Sequence, residues 1–133
     1  MAGPGPDKDV HISLEDQQKI NKFARHNQRL EDIKDDMKQK ETELVTLGDA
    51  TTDVEEFSLT ADDGDKIAFM VGEIFVKETP DDVLALLENK KEEIKGEIKV
   101  LDEQATTIKG VMSDLKTHLY AKFGDAINLE ADD

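Results

Sequence analysis

Cysteine and tryptophan are absent from this 133-residue chain, tyrosine occurs once and proline three times. Without cysteine there is no disulfide framework and no thiolate metal site. Aromatics make up 5% of the residues and hydrophobic residues 37%, too little bulky apolar material for a conventional globular core. Bases are scarce as well: 17 stand against 32 acids, for a net charge of -15. That balance excludes a nucleic-acid binder, because phosphate affinity arises from Lys and Arg releasing counterions. No apolar run approaches the ~20 residues of a membrane span, and the opening MAGPGPDKD is not a signal peptide. The expectation is one domain in a soluble, cytoplasmic protein, with a nuclear population left open.

What the chain does contain is charge, at 37% of residues, and its distribution is uneven. Residues 15–41 carry seven bases and seven acids, and residues 86–122 again carry seven of each. Residues 43–82 hold twelve acids and two bases, and the last eleven residues four acids and no base. Interleaved signs suit a solvated helix laced with salt bridges, so two neutral helical blocks flank an acidic centre and precede an acidic tail.

Both blocks repeat every seven residues. In the first, Phe23, Leu30, Met37, Leu44 and Thr51 form one row, and His26, Ile33, Lys40, Leu47 and Val54 the other. In the second, Leu84, Lys91, Ile98, Ala105, Met112 and Leu119 run beside Leu87, Ile94, Leu101, Ile108, Leu115 and Lys122. Apolar rows sustained over five heptads define a coiled coil. Ser13 followed by Asp16 is a variant capping box. Thr79-Pro80-Asp81-Asp82 starts the second helix, with a capping hydroxyl, a proline whose missing N-H had no partner, and two acids on the positive end of the dipole. The first helix is expected over about 13–55, ending between Gly48 and Phe57, and the second over about 80–123. At 1.5 Å per residue each arm is ~60 Å long. Folded back on each other, they make a rod with both chain termini at one end.

At the other end lies KIAFMVGEIFVK, residues 66–77. Ile67, Phe69 and Val71 alternate with Ala68 and Met70, Gly72-Glu73 turns the chain, and Ile74, Phe75 and Val76 follow. Apolar residues on both faces are typical of strands covered on both sides. A lone hairpin is marginal in water and its edges invite further pairing. Two readings stay open: a cap folded onto the coiled coil, or, preferred, oligomerisation through strand pairing into a closed barrel. The fold class is therefore mainly α, a long antiparallel two-helix coiled coil with a single β-hairpin between the helices.

This helix, hairpin, helix pattern resembles the β-type subunits of prefoldin. LEDQQKINKFARHNQRL, KIAFMVGEIFVK and LYAKFGDAINLEADD carry the resemblance, which spans residues 12–133; residues 1–11 read as a disordered leader. The resemblance implies a hexamer, in which two α-type subunits and three further β-type subunits join this one through their hairpins. It also implies ATP-independent capture of unfolded polypeptides such as actin and tubulin, and their delivery to the cytosolic chaperonin. On that reading Ile67, Phe69, Val71, Ile74, Phe75 and Val76 mediate assembly. No cofactor is implied.

The arm ends hold more apolar residues than a two-stranded seam can bury: Ile12, Leu14, Ile20 and Phe23 face Leu119, Tyr120, Phe123, Ile127 and Leu129. Exposed, they form an apolar patch ringed by charge that suits many unfolded chains; alternatively they clamp the helix ends together. Gly124 is an expected stop. The acidic segment 124–133 reads as a flexible tail that touches clients or meets a basic surface on the chaperonin.

Catalytic readings fail on spacing. With Gly64 at position six of a calcium loop, Leu59, Ala61 and Met70 fall where oxygen ligands are needed. His11, His26 and His118 lack metal-ligand spacing, and His26 reads as a polar register-setter in the seam. Pairs such as Asp35-Asp36 and Glu92-Glu93 are common in a chain with 32 acids and sit on solvated helices, where nothing sets one of them up for acid catalysis. No phosphate loop or nucleophile elbow is present. A non-enzymatic protein is expected; the alternative to a chaperone subunit is a coiled-coil scaffold or tether that oligomerises through its hairpin.

Overall fold

A computed structural model describes residues 12–62, 64–71 and 74–129. The order is α1 (Leu14–Thr60), β1 (Ile67–Val71), β2 (Ile74–Glu78), α2 (Pro80–Phe123) and a short 3-10 turn (Gly124–Ala126). This is the mainly α architecture with one hairpin that the heptads and the central apolar segment define. Residues 1–11 and 130–133, and the hairpin turn at Gly72-Glu73, lie outside the described residues.

Both helices start on hydroxyl caps. The Ser13 hydroxyl accepts from the Asp16 N-H at 3.0 Å, and Thr79 serves the Asp82 N-H in the same way at 3.4 Å. Each satisfies an N-H that has no partner within its helix. Acids occupy both first turns: Glu15 and Asp16 in α1, Asp81 and Asp82 in α2.

α1 does not stop near residue 55. It passes through Gly48 and ends at Thr60. A glycine inside a helix costs about 1 kcal/mol, and packing beyond it outweighs that cost: Val54 is buried, and it clusters with Val83 and Leu87 of α2. The helix ends where the seam ends, and a turn follows in which the Asp62 N-H donates to the Asp65 carboxylate at 2.8 Å. Gly64 supplies the positive φ of 85° that this turn requires.

The chain divides into two compact units, residues up to Asp35 with those from Asp102, and Asp36–Leu101. In the first, the seam buries Phe23, Leu30, Ile33, Ala105, Met112, Leu119 and Phe123. Asp16 and Lys19 of α1 there meet Lys122 and His118 of α2. In the second, Lys40 meets Glu97, and Leu47, Ala50, Leu84 and Ile67 pack around Val54, Val83 and Leu87. Within each unit the α1 number rises as its partner's falls, which is antiparallel pairing.

The hairpin pairs Ile67 with Glu78, Ala68 with Lys77, Phe69 with Val76, Met70 with Phe75 and Val71 with Ile74.

Candidate functional site

In the first unit, the end formed by the start of α1 and the finish of α2 gathers the expected tip residues. Three of them turn inward. Phe23, Leu119 and Phe123 are buried in the seam, the first two almost completely. Phe23 and Leu119 stand on the heptad rows, so their burial follows from periodicity. Phe123 lies four residues beyond Leu119, on the same helix face. These three clamp the ends. Ile12 and Leu14 are exposed, and Ile20, Tyr120, Ile127 and Leu129 are half-buried. The apolar surface exposed at this end is therefore smaller than the sequence pattern suggested.

A charged side chain closes the seam at this end. Asp16 is 2% exposed and accepts hydrogen bonds from the Lys122 ammonium and, at 2.8 Å, from the Ser13 hydroxyl. The Lys122 bond holds the Asp16 carboxyl below its ordinary pKa, with Ser13 assisting and burial opposing. Sequence reasoning assigned Asp16 to the cap alone. The missed signal lay in the same rows: Asp16 is seven residues before Phe23, and Lys122 seven after Leu115. One further heptad step at the seam's end sets an acid against a base.

Beside this pair, Lys19 Nζ lies 2.9 Å from His118 Nε2, which joins the helices again three residues further along α1. His26 Nδ1 lies 2.9 Å from the Lys22 carbonyl in its own helix, so that ring nitrogen is satisfied locally.

After Phe123, Gly124 takes a φ of 57° and turns the chain off the helix axis. Ile127 is extended, with φ -130° and ψ 141°. The Leu129 N-H then donates to the Tyr120 hydroxyl at 3.4 Å, while Lys116 Nζ stands 5.8 Å from the centre of the Tyr120 ring. The segment 127–129 is thereby tied to the helix it leaves.

In the second unit, Ile67 of β1 packs against the Val54, Val83 and Leu87 cluster, which anchors the first residue of the hairpin to the helices. The side chains of Phe69, Val71, Ile74, Phe75 and Val76, the remaining residues expected in assembly, lie outside the described residues. Lys40 interrupts the seam and hydrogen-bonds Glu97 at 2.9 Å; that bond raises the lysine's pKa, with burial partly offsetting it. A shallow groove of about 440 Å³ beside this pair is lined by Glu93, Gly96, Val100 and Leu101. It holds no nucleophile beside a base and no convergent donors. Among the described residues no three His, Asp or Glu side chains could hold a metal ion, and no helix is long and apolar enough to cross a membrane.

Two long helices with a β-hairpin between them are the features that comparison with known proteins can test. The prefoldin subunit family profile matches residues 17–126. The crystal structure of the prefoldin beta subunit from Thermococcus strain KS-1 superposes with a TM-score of 0.70, covering 86% of this chain and 96% of that one at 19% identity. The chain belongs to the prefoldin subunit family, a family of chaperones. Within it, the chain is 42% identical to probable prefoldin subunit 4 of Drosophila melanogaster, over 94% of this chain and 88% of that protein. It is 40% identical to prefoldin subunit 4 of Homo sapiens, over 95% and 92% respectively. The corresponding yeast protein, from Saccharomyces cerevisiae, is 32% identical over 95% of each chain.

Proposed function

We propose that this chain is one β-type subunit of a hexameric prefoldin, with two α-type and three further β-type subunits as neighbours. In this role it captures unfolded polypeptides in the cytoplasm without ATP and passes them to the chaperonin. The observation that carries the reading is the tip: Ile12 and Leu14 stand exposed next to a seam closed by Phe23, Leu119, Phe123 and the Asp16–Lys122 pair. Such a surface offers apolar contact without a shaped pocket, which suits partners whose shared property is exposed apolar surface. On this reading, retention and release rest on contact area and avidity. Several arms holding one client raise its retention by orders of magnitude without any strong single site.

Strand pairing through the hairpin is the proposed route to assembly. Five paired positions leave two open edges on an isolated hairpin, and pairing with neighbouring hairpins removes them. Anchoring of Ile67 on the helices fits this role as well as a local cap, since it holds the hairpin at a fixed angle for its neighbours.

The deciding experiment is native mass measurement of tagged chain purified from cell extract, with its companions identified, followed by binding assays. A hetero-hexamer that binds several unrelated denatured proteins and ignores their folded forms supports the reading. A homo-oligomer that binds one folded partner tightly refutes it in favour of a scaffold or tether.

A further inference from the structure

The segment after α2 does more than end the chain. Gly124 turns it back, Ile127 is extended, and the Leu129 N-H reaches the Tyr120 hydroxyl. In an extended chain, residues two apart point to the same side. Burial follows that rule: Ile127 and Leu129 are half-buried and Asn128 between them is exposed. Residues 127–129 thus leave Asn128 to solvent, keep Ile127 and Leu129 half-buried, and set one backbone N-H on a phenol oxygen. One backbone N-H satisfied by a helix side chain, with half-buried apolar residues two apart, is a contact that any extended chain of the same apolar spacing can make.

We propose that the surface around Tyr120 is a receptor for an extended polypeptide segment with apolar side chains two residues apart, and that residues 127–129 occupy it until such a segment displaces them. The inference rests on the capture reading above and supplies what that reading lacks, the chemistry of the segment recognised. It also reassigns Ile127 and Leu129, from part of the client-binding surface to its resident occupant. A tethered occupant of modest strength is needed here. It covers the apolar surface between clients, and it yields to an incoming chain that makes the same contacts and adds others at Ile12 and Leu14. If the tail fills the site nine-tenths of the time, the apparent affinity for a client is reduced about tenfold.

Composition makes the test direct. Tyr120 is the only tyrosine and there is no tryptophan, so intrinsic fluorescence of the full chain reports this surface alone. Acrylamide quenching of Tyr120 is measured in the wild type and in the full-length double variant Ile127→Ser, Leu129→Ser, whose changes lie outside both helices; circular dichroism checks that the helices are intact. The variant should be quenched roughly two- to threefold more strongly. Adding the tyrosine-free peptide DAINLEA, the sequence of residues 125–131, should restore shielding at about millimolar concentration, the range expected for a short tether. The peptide DANILEA, which sets the two apolar residues side by side, should not. Binding of reduced, carboxymethylated α-lactalbumin, a permanently unfolded probe, should be roughly three- to tenfold tighter in the variant. Equal quenching in both chains, or equal shielding by both peptides, overturns the proposal. Weaker lactalbumin binding by the variant overturns it too, because the tail would then be a client contact in its own right. Should the wild type and variant both fail to bind lactalbumin while the quenching results hold, the capture reading falls and the tail seat stands.

Discussion

Phe23 is 1% exposed and Leu14 is 76% exposed, and the two lie on the same stretch of α1. Replacing each in turn separates a side chain that holds the tip together from one that is open to a partner. A phenylalanine ring buries on the order of 150–250 Å², and truncating a buried one to alanine costs about 3–5 kcal/mol. Two helices enclose the ring less fully than a globular core and can close part of the gap, which places Phe23→Ala near the lower end, at about 3 kcal/mol. At 1.4 kcal/mol per factor of ten, the locally opened fraction rises roughly a hundredfold. Amide hydrogen exchange reads this directly, since it reports opening segment by segment. Exchange over residues 16–30 and 112–123 should accelerate by about that factor in Phe23→Ala. In Leu14→Ser it should change by less than roughly threefold, as for an ordinary surface substitution, while suppression of aggregation of a denatured protein is weakened. Unchanged exchange in Phe23→Ala would refute the assignment of that ring to the seam. Acceleration of similar size in Leu14→Ser would refute the division of the tip into clamp and contact surface.

Other perturbations test other parts of the molecule. A methyl group added at Gly96 or Gly110 meets nothing within 4 Å, so each Gly→Ala change should stabilise α2 by about 0.5–1 kcal/mol in denaturant titrations. Gly124→Ala should act oppositely on the tail, because its φ of 57° disfavours any side chain, and its signature is increased quenching of Tyr120. The Asp16 carboxyl, held down by Lys122, should titrate below its ordinary value of 3.8 in a carbon-detected NMR titration. Its contribution to stability is then fully present above that value and disappears as pH falls through the folded-state pKa. Asp16→Asn should flatten this acid limb of the stability profile, and an unaltered limb would exclude the pair as its source. Leu87→Ala removes a side chain that is 1% exposed from the cluster seating Ile67. It should cost about 2–4 kcal/mol and lower the yield of assembled complex on native gels, whereas an unchanged yield would mean that hairpin seating is independent of the cluster.

The helices and hairpin were legible in the sequence because two periods of unlike length separate them. Rows such as Leu30, Met37 and Leu44 keep a spacing of seven, while Ile67, Phe69 and Val71 keep a spacing of two. The end of α1 was misjudged because Gly48 is a local signal and the cluster of Val54 with Val83 is a long-range one; local propensity yields when packing continues past it. Asp16 was assigned to a cap because Ser13 precedes it by three. Its second role depends on the antiparallel register that sets Lys122 opposite, which no local pattern contains. The tip was legible as apolar but not as divided, since exposure at Leu14 and burial at Phe23 depend on which helix face meets the partner helix. The seat of Leu129 on Tyr120 left no mark in composition: it arises from one positive φ at Gly124 and one phenol oxygen. The neighbours of the hairpin are still less accessible to such reading, because strand pairing is a main-chain interaction that many side-chain sequences permit.

The Asp16–Lys122 pair has a consequence for how this chain can change in length. A heptad lost from α1 alone would set the Asp16 carboxylate against Leu115, where its desolvation has no compensating charge, and a heptad gained in α1 alone would carry it past Lys122. The same change in both helices, made at matching positions, restores the pair. Insertions and deletions in the arms of such a chain should therefore come in matched sevens, one in each helix, and a single unmatched one should be found only together with loss of the acid or the base at the tip.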